Sequence, residues 1–166
     1  MKFIIGLFAL FLSAPVIAGG NNNMVRFPAG YREAFTLYHT MNRQNNEQIV
    51  DLYANEAAMK SAKDGTLANR SIIVMEIYAP ELDAAGKPVT EPGGLLLKAG
   101  LSAVAVMEKR TDWGETYPAD ERAGDWGFAL YTPDGLPKEN DLVCQACHQP
   151  LSGQDFLFTL PRLAGQ

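Results

Sequence analysis

Near the end of the chain stand Cys144-Gln145-Ala146-Cys147-His148, which use both of its cysteines and one of its two histidines. Two thiols three residues apart on a helical turn lie on one side of it, so they can add to the two vinyl groups on one edge of a porphyrin. In an exported protein, C-x-x-C-H is the attachment site of a c-type haem. A histidine tethered directly after the second thioether has little freedom to leave the metal. His148 is therefore the candidate iron ligand, and the opposite face of the ring decides the chemistry. Two other chemistries stay open for the cysteines, a single disulfide or a redox-active pair. Thiol oxidoreductases, however, carry the pair at the start of a helix after a buried strand, and here the polar stretch 134–141 precedes it. Zinc fits less well, because the spacing of His39 and His148 matches no zinc module.

Covalent haem attachment takes place outside the cytoplasm, so this chemistry requires export. Lys2 precedes an apolar run over 3–12, and Val16-Ile17-Ala18 ends on a small residue, as a signal-peptide cleavage site does. The run is too short to span a membrane. Residues 1–18 read as a signal peptide, 19–26 as a mobile polar leader with Asn21-Asn22-Asn23, and 27–166 as one domain of a periplasmic protein. The 47% apolar composition supports a real core, and the net charge of −5 argues against nucleic acid or an anionic membrane surface as a partner.

The elements that must position the motif are legible in outline. Apolar positions Tyr31, Ala34, Phe35, Tyr38 and Met41 predict an amphipathic helix over 27–41. Residues 47–54 suit a helix or a strand. A short helix over 55–62 follows, with Asn55 as N-cap and Lys63-Asp64-Gly65 ending it. Strands are predicted over 71–79, 101–108 and 125–132, the second with small residues that leave room for something flat. Pro137 would open the helix carrying the haem motif, Pro150 would stop it, and 156–158 would form a last strand. The sum is an α+β protein on a mostly antiparallel sheet, with an N-terminal helix and a short C-terminal helix bearing C-x-x-C-H.

The late motif stands together with Tyr31-Arg32-Glu33, Val74-Met75-Glu76-Ile77-Tyr78, Met107-Glu108-Lys109-Arg110, Gly124-Asp125-Trp126-Gly127-Phe128 and Asp155-Phe156-Leu157-Phe158-Thr159. In this order the segments resemble the cytochrome P-460 family, which includes the cytochromes c′-beta. The resemblance implies a mostly antiparallel β fold, a homodimer, and one five-coordinate haem with an open face. One branch oxidises hydroxylamine and joins a lysine covalently to the porphyrin. The other lacks that link, has an apolar pocket and binds nitric oxide. In the first branch the lysine directly precedes a glutamate on a strand, where this chain has Met75 before Glu76. The carboxylate placed over the iron in that branch corresponds to Ala103. The resemblance thus points to the nitric-oxide-binding branch, with an unidentified periplasmic redox partner.

Several residues carry competing readings. Met75 is core filler, wall of the ligand pocket or sixth ligand to iron, and in the last case the site would transfer electrons. His39 is a second ligand, a base or a surface-edge residue of the first helix. Phe35 caps the haem or packs in the core. Glu108, Lys109 and Arg110 read as a solvated ion-pair edge, from which Arg110 has the reach to grip a haem propionate. Lys60 and Lys63 read as solvated, and Trp113 and Trp126 as packing residues.

Overall fold

The computed structural model describes residues 20–43 and 47–166. The signal peptide expected over 1–18 lies outside them. Strands β1 (Thr36–Arg43), β2 (Gln48–Ala54), β3 (Ile72–Pro80), β4 (Lys98–Lys109) and β5 (Trp126–Tyr131) form one sheet in the order β1-β2-β3-β4-β5, every neighbour antiparallel. Among the described residues four short α-helices accompany it, α1 (Tyr31–Ala34), α2 (Glu56–Ser61), α3 (Cys144–His148) and α4 (Leu160–Leu163). The α+β class is as expected. Among the described residues no helix is long and apolar enough to cross a membrane.

Each strand feeds two cores, because successive side chains leave opposite faces of a sheet. On β3, Ile73 and Ile77 join clusters with Met107, Phe128, Ala103 and Leu130, whereas Val74 packs with Val104, Val106 and Tyr131 on the other face. That is why β3 reads as an almost continuous apolar run. Helix α2 begins where Asn55 Oδ1 accepts the N–H groups of Ala58 and Ile72, both at 3.0 Å, so one amide caps the helix and ties it to β3.

The structure corrects four expectations. The helix over 27–41 shrinks to α1, after which Phe35 is extended and β1 follows. A bulge explains the misleading period. The register between β1 and β2 slips between Leu37 and His39, so Tyr38 and Met41 reach the same core although they stand three residues apart, a spacing that imitates a helix. Tyr31 and Phe35 pack on the opposite face. Residues 156–158 are no strand, because Asp155 and Phe156 both have positive φ, and α4 begins soon after with Pro161 in its first turn. The haem-motif helix starts at Cys144 and not at Pro137, which instead bridges back to Tyr131, and Pro150 follows its end by opening a 3-10 segment. The leader is packed: Asn21 N–H donates to the Phe128 carbonyl at 2.7 Å, and Val25 is fully buried.

Polar groups hold the second face. Glu76 and Asp51 are both buried and lie directly opposite each other on β3 and β2. Like charges so placed repel, and each has its own cation. Lys98 Nζ reaches Asp51 at 2.5 Å, while Glu76 accepts Tyr31 Oη at 2.5 Å, Tyr78 Oη at 2.7 Å and the Arg32 guanidinium. Burial first, then the bonded carboxylate, pushes Tyr31 and Tyr78 well above the usual phenol range. Burial also lifts Tyr117 to about 12 from 10.0.

A tyrosine whose folded pKa is raised contributes full stability below its ordinary pKa and loses it as pH climbs from there to the folded value. For Tyr117 the loss runs from pH 10.0 to about 12, at roughly 1.4 kcal/mol per pH unit. Denaturant titrations at pH 9, 10 and 11 are expected to show a falling midpoint, and Tyr117→Phe to show a shallower fall. Equal slopes for the two proteins would refute the assignment.

Candidate haem site

Helix α3 is a single turn, so Cys144, Cys147 and His148 leave it in nearby directions. The two thiols are not bonded to each other. Cys147 is exposed, and the half-buried Cys144 packs against the core cluster of Trp126 and Phe128. Burial pushes the Cys144 thiol up.

His148 is held on three sides. Its ring lies 4.8 Å from the Phe128 ring and 5.0 Å from that of Phe158. Its Nδ1 is 2.7 Å from the Phe156 carbonyl oxygen, which can only accept, so the proton sits on Nδ1 and Nε2 keeps its lone pair. Burial pushes the imidazole below its ordinary pKa against the opposing pull of the Phe156 bond. The ring is therefore neutral at neutral pH, with one nitrogen free to ligate.

The carbonyl that orients His148 belongs to a constrained segment. Asp155 and Phe156 have φ of 48° and 60°, which costs non-glycine residues about 1–3 kcal/mol each. Gly124 makes room for Phe156, since a Cβ there would stand 2.4 Å from its ring. Gly124→Ala is expected to cost about 1–3 kcal/mol by overpacking. A urea midpoint within error of the parent would refute that role for Gly124.

The register of the sheet places the remaining candidates. Phe128 on β5, against which His148 rests, pairs with Met107, and Met107 with Ile73. The next row on this face runs Leu130, Ala105, Met75 and Leu52, and the one after it holds Ala103, Ile77 and Val50. Met75 and Ala103 thus share the face of Phe128. Met75 and Ala105 are half-buried, and the two alanines leave the surface shallow. His39 pairs with Leu52 at the edge of the same sheet.

Phe35 and Arg110 are not brought there. Phe35 packs with the opposite core, and the Arg110 guanidinium lies 4.6 Å over the Trp113 ring with Asp112 at 3.1 Å. Lys60 is exposed and paired with Glu56. Lys109 is a surprise, because the expected solvated edge is buried. Its Nζ bonds Asp155 Oδ1 at 2.7 Å, and both side chains are less than a tenth exposed. A separate cleft of about 370 Å³, lined by Phe27, Tyr31, Arg32 and Asp134 among others, contains no residue of the motif.

These residues suit a haem. Four of the iron's ligands come from the porphyrin, so the protein need supply only one nitrogen, and the unbonded Nε2 of His148 is available for that role. A comparison with protein-family models matches residues 28–159 to Cytochrome P460. The chain belongs to the cytochrome P460 family. No curated protein sequence matches it. Membership implies haem binding, and C-x-x-C-H within a cytochrome P460 domain indicates a haem c cytochrome. The matched span holds every segment named above, from Tyr31 to Thr159. Within it, sequence reasoning missed Lys109 and Asp155, although both stand in segments that carry the resemblance.

Proposed function

We propose that this cytochrome P460 protein is an exported, dimeric monohaem c-type cytochrome that binds nitric oxide, of the branch without a lysine cross-link. Cys144 and Cys147 hold the haem through thioethers, and His148 ligates its iron. When bound, the ferrous haem supplies a metal centre with an open position for a diatomic gas. The observation that carries the reading is the apolar row of Leu52, Met75, Ala105 and Leu130, which continues to Ala103 and offers neither a lysine nor a carboxylate. Side chains without donors leave an anionic ligand such as cyanide or azide unsolvated, so a neutral diatomic is favoured. From Leu52 to Leu130 the row holds no general acid or base for hydroxylamine oxidation, and His39 follows Leu52 only at the edge of the sheet.

Visible spectra of the mature protein, ferric and ferrous, before and after nitric oxide, test this. A broad high-spin ferrous band at ordinary wavelength that responds to the gas is expected. A strongly red-shifted ferrous band would mean a modified porphyrin and the hydroxylamine-oxidising branch. Sharp low-spin bands indifferent to the gas would mean a six-coordinate electron carrier with Met75 or His39 on the iron. The homodimer and the redox partner rest on resemblance, and a monomeric mass by light scattering at micromolar concentration would overturn the dimer.

A further inference from the structure

Asp155 and Phe156 keep their left-handed backbone because their surroundings leave no alternative. One Asp155 oxygen takes Lys109 Nζ at 2.7 Å, and the other takes the Leu67 N–H at 2.8 Å. Phe156 N–H donates to the Leu151 carbonyl at 2.8 Å, and its ring lies on Gly124. All these contacts converge on the position of one atom, the Phe156 oxygen, which stands 2.7 Å from His148 Nδ1. A buried ion pair adds little stability that an apolar pair of the same volume would not supply. The role of this one follows from where it acts.

We propose that the buried Lys109–Asp155 ion pair is a positioning device for the proximal imidazole, fixing the Phe156 carbonyl on His148 Nδ1 and so setting how strongly Nε2 donates to iron. The inference rests on His148 being the iron ligand. Lys109 and Asp155 act through the backbone of Asp155–Phe156. An Nδ1–H bonded to a carbonyl shifts charge toward Nε2, which strengthens the bond to iron and favours the ferric state.

The test uses the haem-loaded protein and two readouts, the iron–histidine stretching band of the ferrous form by resonance Raman and the reduction potential. Lys109→Met is expected to lower the stretching frequency and raise the potential. Simple electrostatics demands the opposite sign, because losing a cation beside a remaining Asp155 carboxylate stabilises ferric iron and lowers the potential. If Lys109→Met does not fold, the neutral pair Lys109→Met with Asp155→Leu carries the same expectation without a buried charge. An unchanged stretching band in the variant that folds overturns the proposal, whatever the potential does. Absence of any iron–histidine band in a parent protein whose ferrous haem is high-spin would instead remove His148 as the ligand.

Discussion

Replacing His148 with alanine is expected to leave a haem still tethered through Cys144 and Cys147 but stripped of its imidazole. The ferrous spectrum changes, the iron–histidine vibration disappears, and free imidazole added to the solution restores both. The effect is near-complete because the described residues offer no substitute at that position. The other described histidine, His39, lies on β1 opposite Leu52, whereas His148 rests against Phe128 on β5. The fold should survive, since His148 is half-buried and its neighbour Phe128 belongs to a core that it does not complete. A spectrum identical to the parent's would remove His148 from the iron.

Glu76→Leu is expected to be strongly destabilising. It strips the acceptor from Tyr31 Oη, Tyr78 Oη and the Arg32 guanidinium in one step. Arg32 is half exposed and recovers water, so its share is small, but Tyr31 is buried and keeps an unmet donor. The cost is about 2–4 kcal/mol, a large part of the stability of a domain this size. Met75→Leu, one residue away on the other face, conserves volume and should cost less than about 1.5 kcal/mol. Urea midpoints for the pair distinguish the polar cluster from general damage to β3, and equal midpoints would dismiss the cluster's importance.

The sequence carried what is local. The apolar runs of β3, β4 and β5 and the Asn55 cap of α2 depend on neighbours in the chain, and they stand where periodicity puts them. Helix α1 and strand β1 were obscured because one bulged residue converts a strand's period into a helix's. At the site, Cys144, Cys147 and His148 are contiguous and plain. The support of His148 is not, because Lys109 finds Asp155 across 46 residues and non-glycine positive φ leaves no compositional mark. An alternating charged triplet on a strand end looks solvated until its partner is known. Arg110 behaves that way, with Asp112 beside it, and Lys109 does not.

The strand order of the sheet is also its order along the chain. Each strand can therefore zip onto the edge left by its predecessor, with no crossover to thread and modest loop entropy to pay at each step. A chain emerging from its N-terminus presents a complete sheet before Cys144 arrives, so the thiols are met first on a short, loosely held turn beside a surface already formed. The last docking event is then the one that brings Asp155 to Lys109 and Phe156 to Gly124. In this order of assembly, the imidazole is locked only after the rest of the scaffold exists to lock it.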